Sequence, residues 1–359
     1  MSEHKFPWKW RIADGYPAKG VEKHGRTVFE LFACGGGSSM GHKLAGYNAL
    51  GGVELDPKVA DTYILNHHPK YMYTEDVRVF NDRTDLPDEL YNLDLLSMSP
   101  PCTTFSMSGL REKVWGKEKK FSEGQKEQRL DDLVFVSCDT IQKLRPKCFV
   151  LENVAGLVKG NAKSYVRRII DRVRSIGYDV QIFQLNGADM GVPQTRERVF
   201  FVGHRTELKL PKIALHFKEE AVPFGSIRTD EEHERISDYM QEIWSRRRYG
   251  DRTLSDICSR EYGKQKLFNH CLIYLDRPVP TLTTAACSTF LRYDAPVKLT
   301  DREVMYASTF PEDYDSPYVP VTYLCGMSVP PVMMAQISHQ IYLQWLSRIC
   351  APGTKKNRG

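Results

Sequence analysis

Thr27-Val28-Phe29-Glu30-Leu31-Phe32-Ala33-Cys34-Gly35-Gly36-Gly37-Ser38-Ser39-Met40 reads as a buried strand, a glycine-rich turn and the start of a helix whose apolar side continues through Leu44 and Ala45. A strand feeding a helix through glycines opens many α/β folds, because the backbone can approach a ligand there and the helix N-terminus favours anionic groups. The spacing does not match Gly-x-Gly-x-x-Gly. Working outward, Ala49 to Leu55 reads as a second strand, Asp94 to Met98 as a third and Cys148 to Leu151 as a fourth. Helices are predicted over Leu133 to Leu144 and over Tyr165 to Ile176, where Val166, Ile169, Ile170 and Val173 recur at helical spacing. This alternation predicts a doubly wound, mostly parallel α/β sheet. Its ligand belongs beyond the carboxyl ends of the strands, where Gly36, Glu54, Cys102 and Glu152 fall.

Two short segments carry the chemistry. Ser99-Pro100-Pro101-Cys102 supplies a thiol after two rigid prolines, and Glu152-Asn153-Val154 supplies a carboxylate at the end of an apolar run. A thiolate that adds to one carbon of a pyrimidine leaves negative charge on the ring, so a second group must hydrogen-bond to or protonate the adjacent ring nitrogen. Glu152 suits that task. A free thiol has a pKa of about 8.5, so Cys102 needs an electropositive setting or coupled proton transfer. Arg196, Arg198 and a nearby basic loop can supply it. Glu54, at the end of the second strand, is placed to accept hydrogen bonds from ribose hydroxyls, and Asp76-Val77 to meet an adenine edge and cover its face. No Gly-Lys-Ser/Thr motif argues for a triphosphate. On these residues alone an adenosine cofactor and NAD both remain open.

The chain has 359 residues, 41% of them hydrophobic, enough for one large core and a smaller satellite domain. Nine cysteines, none in a Cys-x-x-Cys pair or in a zinc-type cluster with histidines, read as reduced thiols, with no metal site expected. The first twenty residues lack an apolar targeting core and no run approaches ~18 apolar residues, so a cytoplasmic protein without a membrane span is expected. The formal charge of +5 agrees with a polyanionic partner without demanding one. Between Ser106 and Arg129 seven basic residues stand against four glutamates, with Trp115 and Phe121 among them. That loop, starting four residues after Cys102, reads either as a solvated charged loop or as one that closes over phosphates. Ser106, Ser108, Lys119 and Lys120 are its candidate phosphate contacts.

Together these residues resemble the DNA cytosine-5 methyltransferases of the bacterial or phage restriction-modification type. The resemblance rests on eight motifs in the family's order: Phe32 to Gly37 with Gly41, then Glu54, Asp76, Pro101-Cys102, Glu152-Asn153-Val154, Gln194-Thr195-Arg196-Glu197-Arg198, Leu299 to Glu303, and Gly326-Met327-Ser328-Val329-Pro330. It implies a Rossmann-like methyltransferase fold and S-adenosylmethionine as methyl donor. Phe32, Gly36, Glu54, Leu55, Asp76, Val77, Pro101, Leu133 and Ser328 would surround that donor. Cys102 would attack C6 of a cytosine extruded from duplex DNA, Glu152 would contact N3 and the exocyclic amine, Arg198 would hold O2, and Arg196 would support the loop and a phosphate. Departures from the pattern are Cys34 in place of a glycine, Thr103 after Cys102, and Met327 in place of asparagine. Cys34 is expected at negative φ for the turn to tolerate a side chain.

The resemblance also implies a discontinuous catalytic domain: an N-terminal extension over 1–25 with a packing or arm role, a catalytic part over 26–203, a target-recognition domain over 204–296, a return over 297–350 and a tail over 351–359. Between His204 and Pro296, fifteen Lys and Arg stand against fourteen Asp and Glu. Within that stretch, Arg246, Arg247 and Arg248 are candidates for guanine edges or phosphates, against the plainer reading of a cationic helix end. Thr281-Leu282 resembles a pair expected near the extruded nucleotide. The expected partners are double-stranded DNA and a cognate restriction endonuclease, with a monomeric chain. Two rival functions stay open: a tRNA cytosine-5 methyltransferase, and a catalytically silent DNA-binding relative.

Overall fold

The computed structural model describes residues 4–101, 133–158, 163–267 and 270–349. Strand β1 (Thr27–Leu31) is buried along almost its whole length and passes through the glycine turn into α1 (Gly37–Leu44). There follow β2 (Asn48–Glu54), α2 (Pro57–His67), β3 (Tyr71–Thr74), α3 (Val77–Asp82) and β4 (Leu95–Met98). Helix α2 starts where its sequence directs: Asp56 accepts the N–H groups of Lys58 and Val59, and Pro57 takes the first turn. Next come α4 (Leu133–Leu144), β5 (Cys148–Val154), α5 (Lys163–Ser175), β6 (Tyr178–Asn186), β7 (Gln194–Thr195) and β8 (Glu197–Arg205).

Seven strands form one sheet in the order β3-β2-β1-β4-β5-β8-β6. Neighbours from β3 to β5 run parallel, whereas β8 runs antiparallel to both β5 and β6. Strand order reverses between β1 and β4, the switch point where such sheets bind ligands. Side chains alternate to two cores. Val28, Leu95, Val150 and Val202 face one, while Phe29, Leu96, Phe149 and Phe201 face the other.

The remainder comprises α6 (Phe224–Ile227), α7 (Asp238–Ser245), α8 (Leu254–Tyr262), β9 (Cys271–Ile273), β10 (Val279–Pro280), α9 (Ala286–Thr289), β11 (Phe290–Arg292), α10 (Asp301–Ala307), α11 (Val321–Met327) and α12 (Pro331–Gln344). A third core of Ile236, Ile243, Trp244, Leu254, Ile257, Leu272 and Leu291 belongs to the small unit. Ile213, Leu215, Val222, Phe224 and Ile227 pack instead into the large core, so the small unit's own core is narrower than the 204–296 stretch. Helix α12 is buried nearly all round, which explains the mixed character of its faces in sequence. It lies so close to α1 that a Cβ on Gly41 would sit 2.5 Å from the Pro331 carbonyl oxygen. At the other end of the chain, Phe6 and Trp10 are buried in the same large core, so residues ahead of β1 pack rather than project. Among the described residues no helix is long and apolar enough to cross a membrane.

Candidate active site

Antiparallel pairing of β8 with β5 sets Arg198 opposite Val154, and on a pleated strand Val154 shares its face with Glu152. Arg198 therefore reaches diagonally, and its Nε lies 2.9 Å from Glu152 Oε1, with both side chains nearly buried. Asn153 points to the opposite face and donates from Nδ2 to the Pro100 carbonyl at 3.2 Å. On the other flank Ser99 Oγ donates to the Phe32 carbonyl at 3.3 Å. The loop that leads into Cys102 is thus tied to β5 and to the turn after β1. Cys102 itself, with Ser106, Ser108, Lys119 and Lys120, lies outside the described residues.

The turn after β1 is held by Glu54. Its Oε2 accepts the Cys34 N–H at 2.8 Å and its Oε1 the Asp56 N–H at 3.0 Å, with the Leu55 N–H also on the carboxylate, which still leaves acceptor capacity for a ligand hydroxyl. Burial raises the pKa of Glu54, and those backbone N–H groups pull it back. Phe32, Cys34 and Gly36 have φ of 60°, 48° and 76°. Cys34 is therefore in the left-handed region, contrary to the negative φ expected, because its N–H is turned toward Glu54. Burial, then the Glu54 carboxylate, push its thiol up to about 12, so it stays protonated at neutral pH. Ser328, which is buried, donates from Oγ to that sulfur at 3.5 Å.

The other expected cofactor residues lie along the same edge of the sheet. Leu55 follows β2 and is 36% exposed, Val77 is buried at the start of α3, Leu133 is buried at the start of α4, and Pro101 follows β4. Asp76 caps α3, accepting the Arg78 N–H at 2.8 Å, and pairs with the Arg78 guanidinium at 3.2 Å. A carboxylate set to accept ribose hydroxyls, a permissive turn at a helix N-terminus that favours a carboxylate, and apolar flanks fit an adenosine group with an amino-acid tail.

Arg196 supports a loop, as expected, but not a phosphate. It is 2% exposed, and Nη2 donates to the carbonyls of Gly326 and Ser328 at 3.1 and 2.9 Å while Nη1 meets Gln194 Oε1 at 3.4 Å. Burial, and then Arg198 beside it, lower its pKa. It pins the 326–328 loop and has no path to a phosphate. Gln194, fully buried, donates to the Ala307 carbonyl and accepts the Leu282 N–H. Thr281 donates to the Thr195 carbonyl at 2.7 Å beside the β7–β10 pairing, which brings the Thr-Leu pair against the Gln-Thr-Arg segment.

The three arginines of the small unit separate. Arg247 lies 3.3 Å over the Trp244 ring and donates from Nε to the Tyr293 carbonyl, so it is a packing residue of the small core rather than a DNA contact. Arg246 and Arg248 are exposed, with ion pairs to Glu242 at 3.5 Å and Glu261 at 3.6 Å. Sequence reasoning passed over the positioning roles of Ser99, Asn153 and Gln194. Their signal was adjacency to residues that carry chemistry.

A sheet with one reversed strand, a cofactor turn at its switch point and an acid–arginine couple behind the proline loop define the class: a methyltransferase of Rossmann-like fold. The chain belongs to the C-5 cytosine-specific DNA methylase family, whose sequence profile matches residues 26–343. It is 37% identical over 188 residues to the Type II methyltransferase M.DdeI of Desulfomicrobium norvegicum, covering 51% of this chain and 42% of the relative. It is 28% identical over 330 residues to the Type II methyltransferase M.AplI of Arthrospira platensis, covering 88% of this chain and 85% of that one. The chain thus spans less than half the length of the first relative and most of the second. Among solved structures, a putative DNA modification methyltransferase encoded within an E. coli prophage superposes with a TM-score of 0.65 at 18% identity, over 89% of this chain and 99% of that one. A Spodoptera frugiperda DNMT2 variant does so at 0.60 and 16%, over 88% and 99%. Both likenesses are of fold.

Proposed function

We propose that the chain transfers a methyl group from S-adenosylmethionine to C5 of a cytosine extruded from duplex DNA, at a specific site, as the modification enzyme of a type II restriction-modification system. The observation that carries this reading is the Glu152–Arg198 pair, 2.9 Å apart, on the same sheet edge as the loop entering Cys102. A fixed acid and a fixed guanidinium suit the N3 edge and O2 of one cytosine face-on to a thiol. When bound, S-adenosylmethionine supplies an electrophilic methyl. In this reading Cys102 adds to C6 as a thiolate, Glu152 stabilises the charge that reaches N3, and Arg198 holds O2. C5 takes the methyl, a base removes the C5 proton, and the returning electron pair expels Cys102. Glu54 holds the ribose through the acceptor capacity that its backbone partners leave free. The small unit with its core between Ile236 and Leu291 reads the target, residues 297–350 complete the catalytic domain, and a cognate endonuclease is the proposed partner.

The test is transfer of labelled methyl from S-adenosylmethionine to mixed-sequence duplex DNA and, in parallel, to total tRNA, with methylated cytosines mapped at base resolution. Label at one short recurring DNA sequence is expected. Label only in tRNA would keep the chemistry and replace the substrate, and label in neither, with DNA binding intact, would favour a silent relative. DNA carrying 5-fluorocytosine at the mapped site should trap the protein covalently, because fluorine cannot leave as the C5 proton does. Trapping by a Cys102→Ala protein would remove Cys102 from the reaction.

A further inference from the structure

The turn from Phe32 to Gly37 holds two non-glycine residues in the left-handed region, an arrangement that persists only when surrounding groups over-determine it. Glu54 and Ser99 fix it from the sheet side. From the other side come two aromatic groups that the reaction does not use. Tyr314, 7% exposed, donates from its hydroxyl to the Gly35 carbonyl at 2.8 Å. His67, equally buried, stacks on Tyr63 at 4.3 Å and fills the space beneath Gly36 so closely that a Cβ there would lie 2.0 Å from Nε2.

These two groups are latched together by their sequence neighbours. Asn66 Nδ2 donates to the Asp315 carbonyl at 2.6 Å, and Asp315 N–H donates back to Asn66 Oδ1 at 2.8 Å. Behind the latch lies the chain ahead of β1. Ile12 and Ala13 N–H donate to the Asp313 carboxylate at 2.7 and 3.0 Å. Trp10 Nε1 donates to the Thr309 carbonyl at 2.9 Å, and the Trp10 carbonyl accepts the Glu312 N–H at 2.9 Å. The Tyr16 ring sits under the ammonium of Lys43, 5.4 Å from its centroid, and that ammonium donates to the His67 carbonyl at 3.2 Å. All of these strap residues precede residue 26, where the family match begins.

We propose that residues 4–25 brace the cofactor turn through the 309–315 loop, with Tyr314 and His67 as positioning residues that hold Gly35 and Gly36 in the conformation that accepts the cofactor. The proposal rests on the reading of that turn as the S-adenosylmethionine site. The experiment is calorimetric titration of the full-length protein with S-adenosylhomocysteine, alongside KM for S-adenosylmethionine, kcat and the melting temperature of the free protein. Tyr314→Phe removes one hydroxyl and leaves the ring. It should weaken binding about five- to tenfold, as expected for a lost buried hydrogen bond. KM should rise by the same factor with kcat retained at saturating cofactor. Asp313→Ala cuts the strap from the loop and should weaken binding in the same direction. The double variant should lose less than the product of the two single effects, because both act through one loop. Wild-type affinity in Tyr314→Phe, whatever its melting temperature, would overturn the brace and leave the cofactor reading standing. Failure of the wild-type protein to bind S-adenosylhomocysteine would overturn both.

Discussion

Glu152 has two duties in the proposed reaction, to meet the ring nitrogen and to hold Arg198 in place. Glu152→Gln separates them, since the amide keeps the shape and a hydrogen-bonding oxygen but cannot exchange a proton with the base. Turnover should fall at least ~10²-fold while S-adenosylhomocysteine affinity stays at the wild-type value, read by single-turnover methyl transfer and calorimetry. Unchanged turnover would leave Glu152 with a structural role. At this scale the sequence was informative where chemistry restricts the residue type. Cys102, Glu152 and Arg198 are proposed because few side chains add to a pyrimidine or balance the charge that results, and of these the structure brings Glu152 and Arg198 together. It was silent where the role is positional. Tyr314 meets Gly35 across 279 residues of sequence, and no local pattern marks a tyrosine for that contact. Arg196 shows the reverse error: a cation in a reactive motif invites an anion, yet burial turns it to carbonyl groups.

Between elements, β1 and α1 meet through an unusual couple beneath the cofactor turn. Glu30 Oε1 lies 3.5 Å from His42 Nε2, and neither side chain reaches solvent. Burial pushes Glu30 up from 4.5 to about 8 and His42 down from 6.5 to about 3, so both are neutral at pH 7. In the unfolded chain Glu30 ionises near 4.5, so between 4.5 and 8 the folded state holds a proton that the unfolded state has released. Its contribution is complete below that window and is lost as pH rises through it. His42 acts in the opposite sense only below 6.5, which isolates the Glu30 effect above that value. Glu30→Gln should therefore gain on the wild-type protein by about 2 kcal/mol between pH 6 and pH 8, measured by urea unfolding at each pH. A difference that does not change with pH would mean that Glu30 is ionised in the fold. The elements themselves were legible where period and burial agree, as in α4 and α5. Strands β6 and β8 escaped notice because β6, at the sheet edge, is mostly half-buried and shows no alternation, and β8 continues directly from a motif read for its chemistry.

For the whole molecule, exposure separates the arginines proposed to meet DNA from those of the framework. Arg246 and Arg248 are exposed, each in a long ion pair with a glutamate, whereas Arg247 is committed to Trp244 and Tyr293. If both exposed arginines neutralise phosphates, Arg246→Ala with Arg248→Ala should reduce the slope of log Kobs against log salt by about 2. An unchanged slope would assign them to the surface ion pairs alone. The motifs stop near residue 204, but no sequence signal marks where the small unit's own core begins, because residues 213–227 carry no motif and pack back on the large core. The brace on the cofactor turn has a temporal consequence. Phe32 to Glu54 are made early in synthesis, while Tyr314, Gly326 and Ser328, which clamp that turn and Arg196, are made after the entire target-reading stretch. In the proposed reading, a growing chain acquires its cofactor site only when these late residues have folded back, and a translation product that stops before them would hold the proposed reader without its methyl donor.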